Sequence, residues 1–140
     1  MANTQAVSGT MKQVALGAVV DGKTLKAALY LASATTNGTN TAYTATGEVS
    51  GTNYTAGGVS VTNANAAGLT STTAYWTPSA SITFTTVTLA TAFDAVMIYS
   101  TTDTNRNLGV FTFGSQTITA GTFTLTMPTN DSSTGLIRFA

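Results

Sequence analysis

Apolar residues recur along this chain with two periods, and the change from one to the other divides it. Val7, Met11, Val14 and Ala18 follow one another at spacings of four, three and four, which places them on one stripe of a short helix whose other face is polar. Ser8 and Gly9 weaken the first turn, so the opening ten residues read equally as an arm that orders against a neighbour. Asp21-Gly22 is a tight-turn signal. After it Leu25, Ala27, Leu29 and Leu31 alternate with Lys26, Ala28 and Tyr30, the two-residue period of a strand. Residues 1–24 are therefore expected as an arm or short helix, and 25–140 as a single β-sandwich domain.

Between Ser33 and Gly58 the chain is Thr, Asn, Gly, Ala and Ser with few apolar anchors, a long loop region. Loops of this length are uncommon in compact domains and are usually functional or mobile, so contacts are sought here. From Val59 onward the pattern is all strand. Val59/Val61, Ala74/Trp76 and Ile82/Phe84 alternate, and the pair Thr85-Thr86 then shifts the phase before Val87 and Leu89, which requires a bulge or a turn. AVMIY, residues 95–99, is apolar on both faces and predicts a central strand. Phe111 with Phe113, then Phe123, Leu125 and Met127, supply further faces, and Leu136, Ile137 and Phe139 are expected to close the core. About eight short strands, spaced by about ten residues, predict an all-β fold: a jelly-roll-like two-sheet sandwich.

Charge changes the picture of the surface. Only 7% of the 140 residues are charged, and five Lys plus Arg balance five Asp plus Glu. Lys12, Lys23, Lys26, Arg106 and Arg138 are too few and too scattered to displace counterions from nucleic acid. On the outer faces Thr83, Thr85, Thr122, Thr124 and Thr126 specify sheet while leaving the surface neutral. With so few charged guards on strand edges, association is expected, as a homo-oligomer in which a dimer is favoured over a trimer. No apolar run approaches the eighteen or so residues of a membrane span, and Asp21, Gly22, Lys23 and Lys26 interrupt the one stretch that imitates a secretion signal. Synthesis and assembly in a cytoplasm are expected.

Candidate chemistry is sparse. The stretch GEVSGTNYTAGG, residues 47–58, holds four glycines, but no Lys or Arg lies between Lys26 and Arg106, and the stretch leads into a strand instead of a helix start; phosphate binding is set aside. The chain has no His, so neither a Ser-His-acid triad nor a histidine metal site can be built, and no cofactor is expected. Glu48 and Asp94 are the one carboxylate pair that could serve a glycosidase, and a loop cap and a turn end account for them better. Asp103 to Gly109 imitates the start of a calcium loop, yet its glycine falls late and Gly114 stands where a bidentate Glu belongs; a turn between strands is the better account, and no metal is expected. Tyr43, Tyr54, Tyr75 and Trp76 suit either a sugar-stacking platform or core filling.

Four stretches together resemble small β-rich virion proteins of tailed bacteriophages: TATGEVSGTNYTAGGVSVT, FDAVMIYS, LGVFTFGSQTITAGTFTLTMP and the terminal GLIRF, spanning residues 44–139. Among these the layout is most similar to the jelly-roll cement or decoration proteins on the outside of a capsid. The resemblance implies a structural role without catalysis, a place on the virion surface, and the major capsid protein as partner, bound through the 33–58 region and the N-terminal arm. Under it, Tyr43, Glu48, Gly51, Asn53, Tyr54, Gly57, Gly58, Tyr75 and Trp76 are expected partner contacts: the glycines admit a neighbour's backbone, Tyr54 supplies buried area and Glu48 meets a partner's cation. Asn53 stands where a glycine would fit, and a left-handed backbone is expected there. A carbohydrate- or receptor-binding module of a tail or fibre is the alternative.

Overall fold

The computed structural model describes residues 2–140. These form one helix, α1 (Gly9–Val20), and seven strands: β1 (Leu25–Leu31), β2 (Val59–Val61), β3 (Gly68–Thr70), β4 (Thr73–Trp76), β5 (Ile82–Ser100), β6 (Arg106–Leu125) and β7 (Ile137–Phe139). Two antiparallel sheets result, one ordered β2-β1-β5-β6 and the other β3-β4-β7, so the two-sheet sandwich expected from the periodicities is what the chain forms. The expected count of about eight short strands becomes seven: the expected segments 82–84, 87–89 and 95–99 are continuous in β5, those at 111–113 and 123–125 are continuous in β6, and β3 is an addition. β5 and β6 run for 19 and 20 residues as one long hairpin. The phase shift at Thr85-Thr86 is a bulge, with Thr86 at φ 51° and the ladder slipping between Phe84 and Val87.

The main core lies between the sheets and α1. Leu25, Ala27 and Leu29 of β1, Ala74 and Trp76 of β4, and Ile82, Phe84, Val87, Leu89, Phe93, Val96 and Ile98 of β5 meet Leu16 and Val20 of the helix there. Residues of opposite parity, Ala28, Tyr30, Ala95, Met97 and Tyr99, make a second buried cluster on the other face of the four-stranded sheet. That is why AVMIY is apolar on both faces: the long loop covers the side that the sandwich does not.

Two expectations fail. The stripe Val7, Met11 and Val14 faces solvent, at 52%, 58% and 66% exposure, and Ala18 is exposed with it. The helix instead turns Leu16 and Val20 inward and fits Gly9 against the Ser71 carbonyl, where a Cβ would come within 2.7 Å of the oxygen. Burying those two side chains is worth about 3–6 kcal/mol; Ser8 makes no side-chain cap and the first turn has no acidic residue. Phe139, expected to close the core, is 39% exposed because β7 sits at the margin of the smaller sheet.

Candidate functional site

The 33–58 segment is not a free loop. β2 pairs with β1 only as far as Ala27. Beyond it, residues 47–49 take over the same edge: the Leu31 N–H donates to the Gly47 carbonyl at 2.9 Å, and the Val49 N–H donates to the Leu29 carbonyl at 3.0 Å. Gly47, at φ 80°, makes the turn that permits this, and Glu48 is left bridging opposite Tyr30.

Glu48 is the centre of the segment. Its Oε2 accepts the Tyr43 hydroxyl at 2.6 Å, and its Oε1 accepts both the Tyr54 hydroxyl at 2.7 Å and the Gly57 N–H at 2.8 Å. The Tyr54 oxygen in turn accepts the Leu29 N–H at 3.0 Å. Two further tyrosines tie the segment to the sheet: Tyr99 donates to the Gly57 carbonyl and Tyr30 to the Thr44 carbonyl, each at 2.7 Å. Tyr43 stacks on Tyr99 with ring centroids 4.8 Å apart.

These surroundings fix the protonation of the rings. Burial pushes the Tyr30 hydroxyl up to about 12. Burial also raises Tyr43 and Tyr54 well above the ordinary tyrosine range, reinforced by donation to the Glu48 carboxylate, since an ionised phenol would face that charge with no proton between them. Tyr99 moves up for the same first reason, burial, and then through the charge of Glu48. All four rings are donors at neutral pH, and both carboxylate oxygens are occupied. Chemically this is a clasp: an anion held by neutral donors that binds a loop to a sheet.

The expected contact residues therefore separate into groups. Tyr43, Glu48, Tyr54 and Gly57 are brought together, with Glu48 answered inside the chain instead of by a partner's cation. Gly51 and Asn53 lie along β5, where Gly51 presses against the Thr88 carbonyl and the Asn53 side-chain amide donates to the Thr86 carbonyl at 2.9 Å. Asn53 is left-handed at φ 60°, as expected. Gly58, at φ 75°, lies on the Ala27 carbonyl. The close backbone approach anticipated for these glycines is real, but it is to the chain's own β1 and β5.

Tyr75 and Trp76 lie elsewhere, on opposite faces of β4. Trp76 is fully buried, its Nε1–H shared between the Asn63 side-chain oxygen at 3.2 Å and the Asn65 carbonyl at 3.1 Å, which removes its ring from any partner surface. Tyr75 is half-buried beside Gly68 and Gly135. The four aromatic rings do not form one platform. Asp103, first residue of the calcium-like stretch, lies in the β5–β6 turn, paired with Lys23 at 3.1 Å. No cluster of three or more metal-ligating side chains occurs among the described residues, and no helix there is long and apolar enough to cross a membrane.

Sequence reasoning missed Tyr30 and Tyr99, whose positions read only as strand. The signal was present, since a strand apolar on both faces needs a cover on each, and the longest unassigned stretch was the loop itself. A neutral cleft of about 500 Å³, walled by Thr35, Thr36, Asn40, Thr44 and Thr46, opens beside this loop, and a smaller apolar one of about 130 Å³ lies between β5, β6 and Met127. Comparison with protein-family models, with curated proteins and with solved structures finds no match to this chain.

Proposed function

We propose that this chain is a structural virion protein, a cement or decoration protein that binds the outside of a capsid shell and stabilises it. The observation that carries the reading is the outward-facing pair Met11 and Val14 on a helix whose opposite side is anchored in the core, with exposed Val7 on the arm just before it. An apolar stripe presented on a rigid support, on a chain with 7% charged residues, suits docking in a neutral groove of another subunit. The 33–58 segment contributes less directly than its composition promised, because its glutamate and glycines are engaged internally. The contact with the major capsid protein then falls to the N-terminal arm and helix, with the loop as their support.

Purified virions test this. The chain should be present in a copy number comparable to that of the shell subunit, and particles lacking it should burst at lower temperature, since many modest contacts sum over a repeating surface. Met11→Asp and Val14→Asp should abolish particle binding without lowering the unfolding midpoint of the isolated protein. Absence from particles, or a few copies at the tail, refutes the proposal. A carbohydrate- or receptor-binding module of a tail or fibre remains the second reading, supported by the neutral hydroxyl- and amide-lined cleft beside the loop. Glycan binding that is lost on Asn40→Ala would favour it.

A further inference from the structure

Among the described residues, the longest edge of the four-stranded sheet left without a partner is that of β6. Residues 47–49 close β1 beyond Ala27. Thr52 bridges to Thr88 and the Asn53 side-chain amide donates to the Thr86 carbonyl, covering part of β5 beyond the end of β1. The start of β6 is closed too: the Asn107 N–H donates to the Thr41 carbonyl at 3.1 Å, and the Tyr43 N–H donates to the Asn105 carbonyl at 2.8 Å. From Leu108 to Leu125, no strand or loop of the described residues pairs with the outer edge of β6. This stretch contains no charged residue and no proline, the usual guards of an exposed edge.

We propose that the bare edge of β6 pairs antiparallel with the same edge of a second copy, about a two-fold axis, joining the two four-stranded sheets into one of eight strands. The order of residues favours a copy over any other occupant. The ladder with β5 is unbroken over Gly109–Thr112 and over Phe123–Leu125 and slips between them, so pairing falls to two arms centred on those stretches, Leu108–Phe113 and Gly121–Leu125. One arm carries Phe111, Thr112 and Phe113; the other carries Phe123, Thr124 and Leu125. Antiparallel self-pairing sets Phe111 against Leu125, Thr112 against Thr124 and Phe113 against Phe123 of the second copy.

Each apolar residue thereby meets an apolar one on the inner face, and each threonine a threonine on the outer face, with no like charges opposed. Phe111, Phe113, Phe123 and Leu125 are only half-covered in the single chain, so the pairing completes their burial. The eleven residues of the two arms give a contour of about 36 Å, and an edge about 10 Å deep offers on the order of 360 Å² per copy, the size of a weak, reversible pair. The pairing does not depend on binding to a shell.

The test is sedimentation equilibrium of the full chain with three sequences. The wild type should sediment at twice its 14.2 kDa mass at tens of micromolar. T112K/T124K, which sets like charges opposite each other on both arms, should halve that mass while keeping the unfolding midpoint measured under dissociating dilution. T112K/T124E, which sets opposite charges together only if each arm meets the other, should restore the dimer and make it salt-sensitive. Since the chain has no cysteine, T117C treated with a short bis-maleimide should give a covalent dimer, an independent readout of the same edge. A monomeric or trimeric wild type, a dimer indifferent to T112K/T124K, or no difference between the two double variants overturns the proposal. None of these outcomes bears on whether virions carry the chain.

Discussion

Glu48→Ala in the isolated protein separates a clasp from a contact residue. The substitution removes three hydrogen bonds to a charged acceptor, from Tyr43, Tyr54 and the Gly57 N–H. Bonds of this type contribute about 1.5–3 kcal/mol each, giving about 4–9 kcal/mol as a gross loss. Glu48 and Tyr43 are only half-buried, so water takes over part of what is lost, and the expected net cost is about 3–5 kcal/mol. Against the roughly 5–15 kcal/mol that hold a domain folded, this is a large share.

Milder variants should fall in order. Tyr43→Phe loses one bond while keeping the stack on Tyr99, and should cost about 1–2 kcal/mol. Glu48→Gln keeps one oxygen for Tyr54 and Gly57 and turns its amide toward the Tyr43 oxygen, which can accept as well as donate; a similar cost is expected. Urea titration reads all three, with the midpoint for Glu48→Ala falling by about 2 M at an unchanged slope. Exchange of the Leu31 and Val49 amide protons should accelerate, because the residues that pair with β1 flank the clasp. A cost below about 0.5 kcal/mol for Glu48→Ala would refute the clasp and return Glu48 to the role of an exposed charge awaiting a partner.

Alkaline pH should loosen the same region. The folded chain holds phenolic protons that the unfolded chain releases near pH 10, so the stabilisation is complete below pH 10 and lost above it; for the well-buried Tyr54 the slope is about 1.4 kcal/mol per pH unit. Thermal midpoints between pH 8 and 11.5 should fall less steeply in Tyr54→Phe than in the wild type, and parallel curves would show that the ring is not protected. Gly58→Ala combines φ 75° with a Cβ driven onto the Ala27 carbonyl and should cost about 3 kcal/mol or more, whereas Gly22→Ala, at φ 65° with nothing within 4 Å, should cost about 1 kcal/mol. Equal midpoints for the two in urea would mean that the loop yields freely.

The fold was legible where one face of an element meets one environment. Alternation located β1, β2, β4 and the start of β5, and the doubly apolar run 95–99 identified the central strand. The continuity of β6 was not legible, because Gly114, Gly121 and the run of small polar residues between Phe113 and Phe123 resemble turns, while cross-strand pairing with β5 holds them extended. The helix illustrates a different limit. A stripe of apolar residues says that a face is to be covered, not by what; here the tertiary fold covers Leu16 and Val20 and leaves Met11 and Val14 outside. The loop residues were expected to lie against a partner. Composition cannot say whether a glycine's close neighbour belongs to the same chain, and for Gly51 and Gly58 it does.

Charge placement then constrains how any partner is held. Lys12 donates to the Thr72 carbonyl, Asp21 accepts the Ala67 N–H, Lys23 pairs with Asp103, and Arg138 donates to the Ser133 carbonyl. Asp131 accepts the Thr134 and Ser133 N–H groups, which hold its carboxyl below the ordinary carboxylate range. Glu48 is enclosed by its own donors. Most of the few charged groups are therefore engaged within the fold, and the surfaces left for association, the helix stripe and the β6 edge, carry almost no field of their own. Their binding energy must come from apolar burial and backbone pairing, which salt barely screens. Self-association of the wild type should accordingly change little between low and physiological ionic strength, as read by sedimentation. A dimer that dissociates as salt is added would place the contact on Lys26, Asp94 or Arg106 instead, and with it the partner-binding surface on a different part of the molecule.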